Sequence, residues 1–343
     1  NILHKVHFSL KISWLSCNSV YFSNSNLANL QECLTTTMIT ESTKLNSEYL
    51  FHRDDFQVTP TIQQNFNKYG YVLVRSLLDN EEVEKVKKVF ENATSEQILE
   101  DNEMRISDGQ GREAKLIVWS HPGNDVSGIV SRSQKVAGTC EKLMGEEVYH
   151  YHGKLVSKEA NTGGSFLWHQ DYGYWYQNGC LLPNMMTVFI ALDKCTKENG
   201  CLQILEGSHK CGRLDHELVH GQQTIPDTKR VDQIKERCPL IWCEMNPGDA
   251  LFFHSNMMHT SGQNSSPNRR WALLTAFNTK SNNPTKEHHH PCYTPLTKVP
   301  DAAIKECENY TLDLSQMEFL HPSKSQTVRP NLSKEQQEAA TTI

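Results

Sequence analysis

The spacing of apolar residues changes part-way along the chain, near residue 147. Before that point, apolar residues recur at intervals of three and four, as on one face of an amphipathic helix. Three helices and one strand are predicted in this part: a helix over residues 61–69 ended by Gly70, a strand at 71–74, a helix capped by Asp79 or Asn80, and a helix over 129–143. These helices are expected to pack against one face of a sheet.

From residue 147 to residue 278, the chain consists of short apolar runs separated by Gly, Asn and Pro. The clearest of these runs cover residues 148–156, 186–192, 202–205, 240–244, 250–253 and 271–277. Many short strands with such punctuation predict an all-β sandwich or barrel. A polar insertion at residues 210–236 interrupts the strands and is predicted to lie over the mouth of the barrel.

The same pattern predicts the domain organisation. We expect a single domain over residues 38–310, with a barrel core at about 147–280, followed by a polar tail over 311–343. Residues 1–37 are set apart, because no acidic residue occurs in the first thirty positions. We interpret 1–37 as a non-native translated leader before Met38, with a targeting segment as the alternative. A mitochondrial presequence would carry arginine, which this stretch lacks.

Composition argues against several classes of function. The 343 residues include 34 basic and 40 acidic side chains, a net charge of −6, so no overall basic field indicates nucleic acid as a partner. Eleven cysteines without a regular framework fit reduced thiols inside a cell. No apolar run approaches the ~18–20 residues of a membrane helix. We therefore predict a cytoplasmic protein, with mitochondria or peroxisomes as alternatives, of undefined oligomeric state.

Residue types that bind metals occur in an aromatic-rich stretch, residues 166–176. His169 and Asp171 lie two positions apart, and on an extended strand both side chains would project from the same face. One imidazole and one carboxylate make up two-thirds of the facial triad that holds non-haem iron(II). Taken alone, the pair is equally compatible with a buried His–Asp hydrogen bond. A third ligand must come from elsewhere, and His254 and His259 are the candidates.

The order His-x-Asp, distant histidine, then Arg270 resembles the iron(II)/2-oxoglutarate oxygenases, specifically the phytanoyl-CoA dioxygenase family. Residues 198–209 resemble the strand, turn and strand between the metal motifs of that family, and the resemblance covers roughly residues 56–295. The aromatic cluster ending in Trp175 is similar to the ectoine hydroxylase branch. The resemblance implies a mainly β fold with flanking helices: a double-stranded β-helix, or jelly-roll and cupin-like barrel, buttressed by the N-terminal helices.

The resemblance also implies which residues hold the metal. Iron(II) would be bound by His169, Asp171 and His259. His259 is preferred to His254, because Thr-Ser-Gly follows it, as usually follows the ligand in this family.

The cosubstrate and substrate residues are implied in the same way. Arg270 would bind the distal carboxylate of 2-oxoglutarate, since a guanidinium group offers a planar fork that stays charged when buried. Ser261 would support the same carboxylate. Lys158 would help to hold the cosubstrate, although a solvated lysine fits the sequence equally well. Trp175 would face the substrate, and Arg269 would point away from the site on the opposite side of the strand.

The implied activity is that of an iron(II)- and 2-oxoglutarate-dependent dioxygenase. It would use dioxygen to hydroxylate an unactivated C–H bond of a small metabolite or lipid-derived substrate, releasing succinate and CO2, with ascorbate as the reductant in vitro. Two other classes stay open. A non-catalytic β-barrel would only bind its ligand, and a cupin-type metalloenzyme without a keto acid would not need Arg270. The lack of a concentrated basic patch disfavours coenzyme A, whose phosphates favour Lys and Arg.

Overall fold

The structure is a computed structural model in which residues 41–42, 45–52, 56–219, 223–288 and 290–314 are described. These residues all belong to one compact unit. The predicted leader at 1–37 and most of the predicted tail at 311–343 lie outside the described residues. In the described part of the chain, no helix is both long and apolar enough to cross a membrane.

The described residues form strands and helices that are numbered here in chain order. The strands are β1 Glu41–Ser42, β2 Glu48–Leu50, β3 Tyr71–Arg75, β4 Met104–Ser107, β5 Glu113–Trp119, β6 Val148–Lys158, β7 Phe166–His169, β8 Met185–Ala191, β9 Leu202–Leu205, β10 His216–Val219, β11 Gln223–Pro226, β12 Leu240–Cys243, β13 Ala250–His254, β14 His259–Ser261 and β15 Arg270–Thr279. The α-helices are α1 Pro60–Tyr69, α2 Asn80–Ser95, α3 Ile98–Asn102, α4 Val126–Arg132, α5 Thr139–Met144, α6 Asp171–Trp175, α7 Thr228–Lys235 and α8 Ala303–Glu306.

The strands form two main sheets and a hairpin. The larger sheet has eight strands in the order β2-β3-β13-β8-β15-β6-β5-β4, and the smaller has five in the order β1-β12-β9-β14-β7. β10 and β11 pair with each other as an antiparallel hairpin within the insertion at 210–236. The larger sheet contains strands that precede residue 147, namely β2, β3, β4 and β5, as well as strands that follow it. It therefore includes more of the chain than the predicted barrel core at about 147–280.

Alternation of side chains along the central strands divides the core into two layers. One layer lies between the two sheets and includes Leu73, Phe189, Leu251 and Leu274 from the larger sheet with Ile204 and Ile241 from the smaller. The other lies between the larger sheet and the helices and includes Val72, Val188, Phe252 and Leu273 with Val83, Val86 and Phe90. The larger sheet is therefore buried on both faces, and the helices support the face opposite the smaller sheet.

The helix ends follow from local sequence. Gly70 ends α1 with a φ of 83°, a left-handed conformation that favours glycine. Asp79, one of the two predicted caps, begins α2 in a capping box with Glu82, an arrangement that stabilises a helix by about 1 kcal/mol. Glu82 also forms a buried ion pair with Lys135 at 2.6 Å.

Two parts of the local prediction were wrong. The single helix predicted over residues 129–143 is divided into α4, a π-helical turn at Gln134–Gly138, and α5. The division occurs because Ser133 is extended, with a ψ of 155°, and its hydroxyl donates to the carbonyl of Val130. The polar stretch at residues 102–113, whose Asp108-Gly109 and Gly111 predict a loop, also contains β4, which pairs with β5 at the edge of the larger sheet.

Candidate metal and cosubstrate site

Three candidate metal ligands meet where β7 and β14 lie side by side in the smaller sheet. The register places His259 opposite His169. The Nε2 atoms of both histidines lie 4.0 Å from Oδ1 of Asp171. One ligand atom from each of the three residues lies within 4.8 Å of the other two, and no second such group occurs in the described part of the chain. The structure therefore brings together the three residues that the resemblance implied as iron ligands.

Asp171 reaches this position by a different route from the predicted one. β7 ends at His169, Gln170 is extended, and Asp171 is the first residue of α6. The prediction that His169 and Asp171 share one face of a strand was therefore wrong. The two side chains meet because the chain turns from strand to helix between them, with the Tyr172 N–H donating to the carbonyl of Ser255 at 3.0 Å.

Backbone carbonyl groups fix the orientation of both histidine rings. Nδ1 of His169 lies 2.7 Å from the Leu167 carbonyl oxygen, and Nδ1 of His259 lies 2.9 Å from that of Met257. A carbonyl oxygen can only accept a hydrogen bond, so each Nδ1 carries the proton and each Nε2 keeps its lone pair for a metal. Burial lowers the pKa of His169 to about 3 and also lowers the pKa of His259, so both rings are neutral at pH 7.

The carboxylate is held by two hydroxyl groups. The Tyr174 hydroxyl donates to Oδ1 of Asp171 at 2.8 Å, and the Thr187 hydroxyl donates to Oδ2 at 2.6 Å. Burial acts to raise the pKa of Asp171. The nearby His259, Lys154 and His169 and the hydrogen bond from Thr187 together hold that pKa below its ordinary value. Two neutral imidazoles and one ionised carboxylate form the set of donors that suits iron(II).

His254, the rival candidate, lies outside this group. Its ring lies beside Phe66 and His209, with centroid distances of 6.3 and 5.4 Å. Its Nδ1 accepts a hydrogen bond from the backbone N–H of Asn256 at 3.0 Å.

Two buried cations lie side by side between the sheets. Arg270 on β15 is paired in register with Lys158 on β6, and each side chain is at most 1% exposed. The Arg270 Nη1 donates to the Gly200 carbonyl at 2.9 Å, while its Nε has no acceptor among the described residues. The Lys158 Nζ donates to the carbonyl groups of Ser261, at 3.1 Å, and Gly262. Neither cation forms an ion pair with any described residue.

Electrostatics make this pair unfavourable without an anion. Burial lowers the pKa of Lys158 well below its ordinary value, and the adjacent Arg270 lowers it further. Burial also lowers the pKa of Arg270. Because an unpaired buried charge costs several kcal/mol, two adjacent ones indicate a site for an anion. A dicarboxylate matches their combined charge.

The neighbouring Arg269 faces outward, as predicted from its sequence position. Its side chain is 35% exposed, lies 3.2 Å from Asp193 and 3.8 Å from Glu91, and stacks 3.5 Å above the Trp271 ring. Successive residues of a strand point to opposite faces, and the side chain that enters the space between the sheets belongs to Arg270.

Trp175 ends α6 and is completely buried. Its ring packs against those of Tyr151 and His152, with centroid distances of 5.6 and 5.5 Å. The His290 ring stacks on His152 at 5.0 Å. The indole Nε1 of Trp175 has no hydrogen-bond acceptor among the described residues. A buried indole N–H normally finds a partner, so this donor is available to a ligand.

The insertion contributes contacts that sequence reasoning missed. The backbone N–H of Gln170 donates to Nε2 of His216 at 2.9 Å, and the Gln170 side-chain amide donates to the carbonyls of Gly212 and Asn256, both at 2.8 Å. A Cβ atom at Gly173 would lie 2.1 Å from Nδ1 of His216. The insertion thus holds the connection between two candidate ligands, and its contacts join residues too distant in sequence to give a local signal.

Comparison with known proteins gives the family. The profile of the phytanoyl-CoA dioxygenase (PhyH) family matches residues 66–272. The chain belongs to the phytanoyl-CoA dioxygenase family. This membership confirms the predicted class, an iron(II)- and 2-oxoglutarate-dependent dioxygenase, and the cluster of two histidines and an aspartate fits the metal.

Curated relatives include two hydroxylating enzymes. L-proline trans-4-hydroxylase from Streptomyces griseoviridis is 26% identical over 256 residues, which are 69% of this chain and 91% of that enzyme. Ectoine dioxygenase from Nocardia farcinica is 25% identical over 228 residues, which are 63% of this chain and 76% of that enzyme.

Solved structures share the fold. EctD from S. alaskensis, crystallised with 2-oxoglutarate and 5-hydroxyectoine, has a TM-score of 0.61 and 19% identity, with 78% of this chain and 93% of that chain covered. The epimerase SnoN, in complex with Fe3+, alpha ketoglutarate and nogalamycin RO, has a TM-score of 0.55 and 18% identity, with 70% and 96% covered. These likenesses confirm the predicted mainly β, jelly-roll fold with flanking helices.

Proposed function

We propose that this protein hydroxylates an unactivated C–H bond of a small, amino-acid-like metabolite, with conversion of 2-oxoglutarate and dioxygen into succinate and CO2. His169, Asp171 and His259 would hold iron(II). Lys158 and Arg270 would bind the distal carboxylate of 2-oxoglutarate, beside Ser261. When bound, iron(II) and 2-oxoglutarate supply the oxidising chemistry that inserts one oxygen atom of dioxygen into the substrate.

The observation that carries this proposal is the pair of buried cations without an anion. Lys158 and Arg270 lie in the same inter-sheet layer as the metal cluster, and Lys158 contacts the carbonyl of Ser261, two residues after His259. A cupin-type metalloenzyme that uses no keto acid leaves both charges uncompensated. A barrel that only binds a ligand does not require two neutral imidazoles and a carboxylate within 4.8 Å of one another.

The protein's own groups orient the ligands and shield the site. The hydroxyls of Tyr174 and Thr187 hold the Asp171 carboxylate in one orientation, and backbone carbonyls do the same for the two imidazoles. All three candidate ligands are largely buried, which limits the access of water. Such support for metal ligands typically changes metal affinity or activity by about 10- to 100-fold.

The substrate class rests on a different argument. Two relatives are named for small molecules, L-proline and ectoine. Their similarity to this chain extends over most of its described length, which favours a small metabolite over a lipid-derived one. A cytoplasmic location is part of the same proposal, supported by the scattered cysteines of the sequence.

The test is turnover by the purified protein with iron(II), ascorbate, dioxygen and 2-oxoglutarate, in the presence of a mixture of small metabolites. We expect succinate release that requires iron and 2-oxoglutarate, together with a product heavier than its parent by one oxygen atom. Metal binding without 2-oxoglutarate consumption would support the cupin-type alternative. The absence of both metal binding and turnover would support a non-catalytic binding protein.

A further inference from the structure

A third lysine faces the space between the sheets. Lys154 lies four residues before Lys158 on β6, so the two side chains share one face, with Cα atoms about 13 Å apart at 3.3 Å per residue. In register, Lys154 lies opposite Leu274, which packs in the layer between the sheets. Lys154 is half-buried, whereas Lys158 is fully buried. It therefore lies on the interior face, closer to solvent.

Lys154 is also close to the metal cluster. The Thr187 hydroxyl donates to Asp171, and Thr187 pairs in register with Ala276 on β15. Ala276 pairs in turn with His152, and Lys154 lies two residues further along the same face of β6. Its ammonium group is nevertheless not the ion-pair partner of Asp171, whose two oxygens accept from the hydroxyls of Tyr174 and Thr187. Among the described residues, Lys154 has neither a hydrogen-bond nor an ion-pair partner.

The sum of the charges in the loaded site indicates which kind of substrate suits this lysine. Arg270 and Lys158, which would bind the distal carboxylate of 2-oxoglutarate, together carry a charge equal and opposite to that of the whole cosubstrate. Iron(II) with Asp171 leaves one positive charge, and Lys154 adds another. No negative group of the described residues pairs with Lys154, so a substrate carboxylate can pair with it without displacing an existing partner. The loaded site is therefore complementary to a substrate that carries negative charge.

The unpaired indole N–H of Trp175 lies on the same face of the larger sheet as Lys154. The Trp175 ring packs at 5.5 Å against the ring of His152, which lies two residues before Lys154 on the same face of β6. Trp175 thus offers a neutral donor near a cationic one, in a buried layer that also contains Tyr151 and Ala276. A substrate with a carboxylate at Lys154 and a second hydrogen-bond acceptor at the Trp175 indole N–H would provide a partner for both groups.

We propose that Lys154 is a substrate-binding residue that selects an amino-acid-like carboxylate, and that Trp175 donates a hydrogen bond to a second acceptor on the same molecule. This inference rests on the proposed function and specifies its substrate. A coenzyme A thioester does not fit the pair, since its several phosphate charges need a cluster of exposed cations, whereas Lys154 is a single half-buried one.

The test uses the iron(II)-loaded full-length chain with 2-oxoglutarate. The probes are the common L-amino acids, their primary amides, and butyryl-CoA as an acyl-CoA. Mass spectrometry follows the gain of one oxygen atom by each probe. We expect an amino acid to be oxidised and its amide not. Lys154→Gln should raise the KM for that acid about 10- to 100-fold, as expected for the loss of a charge-assisted hydrogen bond.

Further variants separate recognition from a structural effect. In Lys154→Gln, we expect kcat and the KM for 2-oxoglutarate to stay within about threefold, because the cosubstrate and metal groups are untouched. Trp175→Phe should raise the KM for the acid about 2- to 10-fold, as for a neutral hydrogen bond. The matched control is Lys115→Gln on the adjacent strand β5, whose lysine lies 3.4 Å from Glu103 and should not affect the KM for the acid.

Several results would overturn the inference. They are equal use of acid and amide, oxidation of butyryl-CoA alone, an unchanged KM for the acid in Lys154→Gln, or an effect of that variant on 2-oxoglutarate instead. Succinate release without oxidation of any acid would reject the amino-acid-like substrate class but leave the proposed iron(II)- and 2-oxoglutarate-dependent oxygenase activity standing. A complete lack of iron- and 2-oxoglutarate-dependent succinate release would reject the proposed function, and this inference with it.

Discussion

Substitution of Arg270 separates an oxygenase from a barrel that only binds metal. Its guanidinium group is 1% exposed, donates one hydrogen bond to the Gly200 carbonyl, and lies beside Lys158 with no described anion. Arg270→Gln removes the charge and the fork while keeping a polar side chain of moderate length. Arg269→Gln is the matched control, since that side chain faces outward towards Asp193.

The size of the effect follows from the burial of Arg270. Truncating one partner of a buried, hydrogen-bonded charge pair costs on the order of 2–5 kcal/mol. At about 1.4 kcal/mol per tenfold change, the dissociation constant of 2-oxoglutarate should rise at least 30-fold, and roughly 100-fold is our central expectation. Arg269→Gln should change it less than about threefold, because an exposed ion pair contributes about 0–1 kcal/mol and lies outside the site.

The assay is anaerobic calorimetric titration of the iron(II)-loaded protein with 2-oxoglutarate, accompanied by iron titration of the apoprotein. We expect the affinity for iron to be nearly unchanged in both variants, because the metal ligands are untouched. A larger loss of 2-oxoglutarate affinity in Arg269→Gln than in Arg270→Gln would contradict the inward orientation of Arg270 and the outward orientation of Arg269. Unchanged 2-oxoglutarate binding in both variants would refute the assignment of the buried cations to this cosubstrate.

Three other predictions follow from the site. His169→Ala and His259→Ala should abolish iron-dependent turnover, whereas His254→Ala should keep most of it; iron titration of the three variants checks this. Gly173→Ala should lower the free energy of unfolding by about 1–3 kcal/mol in chemical denaturation, since its Cβ would meet the His216 ring, and the double variant with His216→Ala should recover part of the loss. Burial lowers the pKa of His254 to about 4, below the roughly 6.5 of an unfolded chain, so the unfolded state binds more protons between these values. Stability should therefore fall as the pH drops from about 6.5 to 4, and His254→Gln should lose less over this range.

Regular periodicity made much of the fold predictable. The run at 202–205 coincides with β9, and the ends of most other predicted strands agree with the structure within a few residues. The positions of Arg269 and Arg270 on opposite faces followed from the alternation of a strand. The helix predicted over 129–143 was wrong because periodicity does not register a backbone change such as that at Ser133.

The site was predictable only in part. The resemblance in motif order named His169, Asp171 and His259. The prediction that Asp171 lies on a strand was wrong, because a turn into a short helix leaves no periodic pattern in the sequence. The contact between Gln170 and His216, and the interior position of Lys154, depend on pairings between distant segments. Those pairings arise when the sheets assemble and leave no local pattern.

The central claim is that His169, Asp171 and His259, with Lys158 and Arg270, form one site for iron(II) and 2-oxoglutarate. The most direct measurement is anaerobic titration of the apoprotein with iron(II) and then 2-oxoglutarate, followed by calorimetry and visible absorption. We predict that iron binds first, that 2-oxoglutarate then binds tightly with a new visible band, and that His259→Ala loses both. Iron binding that His259→Ala leaves intact, or iron binding without any binding of 2-oxoglutarate, would contradict this account.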